Sequence, residues 1–133
     1  MSKKIEIIIG EEKGIAELFE DKAPTIVEAV WNALPLEGIV NHANFSGEEM
    51  SIPTHELTKV KENVLYKTCP GDLGYGGGGM GGSILIYYGV LDVTLPGCVF
   101  GRVIENLEGI QKEGCRIWKE RGRKMVLRKW RDD

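Results

Sequence analysis

The stretch "GCVFGRVIENLEGIQ" (Gly97–Gln111) decides how the rest of the chain is read. Its first half, Gly97–Ile104, is rich in β-favouring residues and reads as a strand. Asn106 then stands where a side-chain oxygen can cap a helix that uses Leu107, Ile110, Ile117 and Trp118, with Gly109 and Gly114 leaving its length open. Beyond it, Lys124–Trp130 closes the chain as a strand. Upstream, Ser83–Tyr88 is a continuous apolar run of buried-strand type. It follows Gly71–Gly82, which holds eight glycines in twelve positions, with Leu73–Tyr75 a candidate strand inside. Thr54–Cys69 has weak periodicity and reads as a connection. Ile39–Ser46 and Glu48–Pro53 form a strand–turn–strand signal about Gly47. Before them, Pro24 opens a helix whose Ile26, Val27, Val30, Trp31 and Leu34 share one face, and Pro35 stops it. Lys3–Ile9 and Ile15–Glu20 flank a glycine-bounded turn as a hairpin. About eight short strands and two helices make a mostly β, barrel-like α+β protein.

The 133 residues are 42% hydrophobic and 28% charged with a formal net charge of −3, which excludes intrinsic disorder and fits one domain over 1–133. A chain of this size buries roughly two-thirds of its unfolded surface and needs no staple. No apolar run approaches the ~20 residues of a membrane span. Met1–Ile5 lacks the apolar core of a signal peptide, and Cys69, Cys98 and Cys115 are odd in number with no CxxC pair. A reduced cytoplasmic protein is therefore expected. From Gln111 to Asp133 nine Lys/Arg stand against four Asp/Glu, yet apolar and acidic residues interrupt them. This reads as a solvated amphipathic element, so neither nucleic acid nor membrane is an expected partner.

Three stretches together resemble the cyclophilin fold. "FEDKAPTIVEAVWNAL" (Phe19–Leu34) is similar to the entry of its first helix, "GGSILIY" (Gly81–Tyr87) to its Gly-Ser-Gln-Phe-Phe strand, and "GCVFGRVIENLEGIQ" to its Val-Phe-Gly-x-Val strand and following helix. With "NHANFSGEEMSIP" (Asn41–Pro53) the chain resembles, more narrowly, the prokaryotic cyclophilin-like proteins of unknown function of the DUF3830 type. The resemblance implies a closed β-barrel. It also implies where isomerase chemistry would sit: an arginine on the strand matched by Ile39–Ser46, an aromatic near Ile86, and a histidine near Gly97 or Cys98. His42 or a neighbour stands where the arginine would be, and no arginine occurs before Arg102. The charged donor that would stabilise a twisted prolyl amide is missing, so no catalytic residues are assigned. A peptidyl-prolyl isomerase with altered residues is the alternative.

The densest polar cluster is His42, Asn44 and Ser46, two apart and so on one face of an extended strand, with Glu48 and Glu49 just past Gly47. In a cyclophilin-like barrel this is the ligand face, which implies a pocket for a small polar molecule or short peptide. The equal competitor is a solvated strand face. The glycine segment and Tyr75 border the expected pocket, with Ile86 at the matched aromatic position; Tyr87 or Tyr88 could line it instead. Ser46 and His42, ~13 Å apart along a strand, are too distant to form a nucleophile–base pair. His42, His55, Glu48 and Glu49 lack metal-ligand spacing, and Gly74–Gly79 matches GxGxxG only by glycine abundance before a strand, so neither a metal nor a cofactor is expected. The glycine segment reads as a mobile loop, able to pack against a neighbouring copy in a homo-oligomer.

Overall fold

The computed structural model describes residues 3–44, 46–78, 81–91 and 96–131. Phe45 and the Gly79–Met80 part of the glycine segment lie outside them. In chain order the elements are β1 (Lys4–Ile9), β2 (Glu12–Leu18), α1 (Pro24–Ala33), β3 (Leu36–Ile39), β4 (Asn41–His42), β5 (Gly47–Thr54), β6 (Val64–Leu65), β7 (Asp72–Gly78), β8 (Gly81–Leu91), β9 (Gly97–Glu105), α2 (Leu107–Lys119) and β10 (Lys124–Lys129). The strands join in the order β3-β10-β1-β2-β9-β7-β8-β5-β4, with short β6 beside β9. Every pairing is antiparallel.

The two ends of this path, β3 and β4, are separated in sequence only by Val40, which is buried. The sheet therefore curls until its edges meet in a nearly closed barrel, the arrangement that protects strand edges best. Nine strands on the main path replace the expected eight or so. The extra one comes from Ile39–Ser46, which is not a single strand. β3 pairs with β10 and β4 with β5, and the chain leaves extended geometry after His42.

Alternation sets the barrel interior. Ile5, Ile7 and Ile9 of β1 are fully buried, as are Met125 and Leu127 of β10. On the outer face Glu6 and Arg128 stand opposite each other, and the guanidinium donates to Glu6 Oε1 from Nη2 at 2.6 Å and from Nε at 3.0 Å. α1 begins at Pro24 and ends before Pro35 as its sequence implies, and it sends Ile26, Val27 and Val30 into the core. No side chain of its own caps it. Instead Glu62, from the irregular connection before β6, accepts from Ile26 N at 2.9 Å and supplies negative charge at the helix N-terminus.

The glycine segment is a correction. Gly74 and Gly76–Gly78 lie in β7 and Gly81 and Gly82 in β8, paired from Asp72↔Tyr87 to Gly78↔Gly81, so the described part of the segment beyond Gly71 is strand and not a loop; Gly79 and Met80 lie outside the described residues. Bare backbone is required because Tyr87 lies across it: a Cβ at Gly74 would fall 2.7 Å from the Tyr87 ring.

Candidate functional site

α2 carries the site. Asn106 caps it as the sequence implies, its Oδ1 accepting from Gly109 N at 3.2 Å while its Nδ2 donates to Lys13 O at 2.8 Å. Ile110, Gly114 and Ile117 form the buried stripe that seats α2 on the barrel. Beside that stripe runs a second one, Gln111, Cys115, Trp118 and Lys119, at the i, i+4, i+7, i+8 spacing of one helical face. This second face looks onto β4 and the turn that follows it.

Between them lies a cleft of about 430 Å³ lined by His42, Ala43, Asn44, Gly47, Glu48, Tyr88, Cys115, Trp118 and Lys119. Tyr88 is its floor. Helix and floor meet closely because residue 114 is glycine: a Cβ there would fall 2.5 Å from the Tyr88 ring. Gln111 Nε2 donates to Tyr88 O at 2.9 Å and ties the helix to β8.

His42 is buried and held at both nitrogens. Nδ1 lies 2.8 Å from Ala43 O, which can only accept, so Nδ1 carries a proton. In the neutral ring Nε2 then accepts from the Tyr88 hydroxyl, at 2.5 Å. The His42 ring meets Tyr88 edge-on at 5.6 Å and the Trp118 ring at 5.0 Å between centroids. Burial, aided by the nearby Cys115 thiol and Glu48 carboxylate, pushes the Tyr88 hydroxyl pKa well above the ordinary tyrosine value. Its proton therefore stays on oxygen, available to His42. Trp118 is 49% exposed and forms the open wall.

The expected site residues separate into four places. His42, Asn44 and Glu48 share the cleft. Asn44 is exposed and its Oδ1 accepts from Arg121 Nη2 at 3.2 Å; Glu48 Oε1 accepts from Val90 N at 2.8 Å. Ser46 and Glu49 bond to each other at 2.7 Å, Ser46 Oγ donating, and do not line the cleft. Strand alternation does not put His42, Asn44 and Ser46 on one face, because the chain turns after His42 and Ala43 N donates to Glu49 O across the turn. Tyr75 and Ile86 are elsewhere. Ile86 is fully buried among the barrel's core residues. Tyr75 accepts from Leu57 N at 2.9 Å and borders, with Gly76, Thr58, Val60 and Cys98, a separate cleft of about 380 Å³.

Trp118, Cys115 and Lys119 are the cleft residues that strand reasoning misses. Their signal is the second α2 face, offset by one position from the apolar stripe. Among the described residues no group of three or more His, Cys, Asp or Glu side chains is placed to hold a metal ion.

A family model described as "Protein of unknown function (DUF3830)" matches residues 7–128. No curated protein sequence matches the chain. Among solved structures, McbB in complex with tryptophan is similar with a TM-score of 0.78 at 22% identity. That similarity covers 97% of this chain but only 45% of the McbB chain, so this chain spans less than half of McbB. A hypothetical protein of Archaeoglobus fulgidus is similar with a TM-score of 0.68 at 21% identity, covering 97% of this chain and 95% of its own. A cyclophilin-type peptidyl-prolyl cis-trans isomerase of Cryptosporidium parvum has a TM-score of 0.68 at 15% identity, with both chains fully covered. Identities at this level establish the cyclophilin-like fold and nothing of the chemistry.

Proposed function

We propose that this chain, which belongs to the DUF3830 family of proteins of unknown function, is a binding protein that takes a small molecule or short peptide into the cleft between α2 and the β4–β5 turn. The observation that carries this reading is the His42–Tyr88–Trp118 group. Two buried rings with fixed hydrogen bonds support one half-exposed indole beside a concavity of ligand size. A preorganised apolar floor with a few placed polar groups is the usual build of such sites.

The cations of residues 111–133 support a small ligand over nucleic acid. Arg116 and Arg123 flank Glu113, Lys124 pairs with Glu37, and Arg128 pairs with Glu6, so much of the segment's charge is neutralised locally.

A thermal-shift screen of the full chain against metabolites and short peptides tests the proposal. Hits are expected to raise Tm, and Trp118→Ala, which removes an exposed wall rather than core, is expected to abolish the shift. A collection in which nothing shifts Tm, or hits that ignore Trp118→Ala, would remove the cleft as the binding site.

A further inference from the structure

We infer that the cleft selects a ligand joining a flat aromatic body to a carboxylate; this rests on the binding reading above and narrows it. The donors and acceptors that the cleft leaves free decide this selection. On the cleft floor His42 bonds at both nitrogens, and the Tyr88 hydroxyl proton is committed to it. Glu48, the one carboxylate lining the cleft, has Oε1 occupied by Val90 N. Glu48 Oε2 is the carboxylate oxygen left to a ligand, beside the lone pairs that the Tyr88 hydroxyl keeps.

Donors are in excess. Lys119 lines the cleft, and Arg121 lies at its rim with its guanidinium 5.6 Å from the Trp118 ring. No carboxylate among the described residues forms an ion pair with either. This sets them apart from Arg116, Arg123, Lys124 and Arg128, each of which has a carboxylate within 4 Å. Because Arg121 takes Asn44 Oδ1, the Asn44 amide nitrogen is the end left to donate. An ammonium, a planar guanidinium and an amide N–H₂ around one mouth match a planar two-oxygen acceptor. The indole wall, braced by His42 on one side and Arg121 on another, supplies the flat apolar surface.

The test is an NMR titration of the full chain, following the Trp118 indole N–H (assigned by its loss in Trp118→Phe) and the His42 ring protons. The probes are 2-naphthoate, 2-naphthamide, 2-naphthylmethylammonium and octanoate. Naphthoate is expected to bind roughly fivefold or more tightly than the amide, with the ammonium weakest, an advantage set by two partly screened charges. It should shrink as salt is raised. In the double variant K119A/R121A naphthoate and naphthamide should bind with equal affinity. Equal or tighter binding of the amide or ammonium, or a naphthoate preference that survives the double variant, overturns the carboxylate assignment while the binding reading stands. Octanoate binding as tightly as naphthoate overturns the aromatic half. If no probe moves either signal at millimolar concentration, both this inference and the binding reading fall.

Discussion

Tyr87 and Tyr88 are chain neighbours on β8, both almost fully buried, and burial raises the pKa of both hydroxyls. Alternation sends them to opposite faces of the sheet. Tyr87 lies over Gly74 and Gly97, opposite Asp72 on one side and Glu49 on the other, and seals glycine backbone. Tyr88 packs on Gly114 and donates a hydrogen bond to His42, whose ring carries the contact on to Trp118 at the surface. Burial and titration are alike in the two. What separates them is the next partner: one tyrosine ends in packing, the other continues through a polar ring to an open wall. A perturbed pKa alone would have marked both as functional candidates; the onward contact marks only Tyr88.

The largest effect that would break this comparison is at Gly114. Gly114→Leu should force Tyr88 and α2 apart and cost about 3 kcal/mol or more in chemical denaturation. A change below about 1 kcal/mol would mean that the helix does not clamp the cleft floor. The next test is a matched pair. Tyr88→Phe leaves His42 Nε2 buried without its donor and should cost about 1–3 kcal/mol, whereas Tyr87→Phe should stay within roughly 0.5 kcal/mol. Equal losses would erase the distinction between the two tyrosines.

Alkaline titration gives a smaller effect. Both hydroxyls keep their protons in the folded state to a pH above the ordinary tyrosine value near 10, while in the unfolded chain they ionise there. The unfolded state then binds fewer protons, so the tyrosines' contribution is complete below pH ~10 and is lost as pH rises beyond it. Denaturation midpoints should decline above pH ~10, and less steeply in Tyr88→Phe; a flat profile to pH ~11 would contradict the burial of both groups.

The smallest expected effect is none at all. The cyclophilin resemblance places isomerase chemistry on Ile39–Ser46 and near Ile86 and Gly97, and the first arginine in the chain, Arg102, donates instead to Asp72 Oδ1 at 2.7 Å. Isomerisation of an Ala-Pro peptide, followed by coupled proteolysis, should run at the uncatalysed rate. Clear acceleration would favour the isomerase with altered residues over the binding protein.

The sequence by itself determined the order of elements, both ends of α1, the first hairpin, the Asn106 cap and the cyclophilin-like class. It brought His42, Asn44 and Glu48 forward as candidates by their density alone. These features are legible because period, proline position and capping act within a few residues. The tertiary structure decided the rest. It broke Ile39–Ser46 at Val40, since Ile39 ends a strand paired with β10 while Asn41 and His42 pair with β5. It drew Gly74, Gly76–Gly78, Gly81 and Gly82 into strands, with Tyr87 lying across the bare backbone of Gly74. It left Tyr75 and Ile86 away from the cleft and brought Trp118 within 5.0 Å of His42 across 76 residues of chain. Each of these outcomes depends on which distant surface a segment packs against. A local pattern carries the face that a segment presents, but not the partner that covers it.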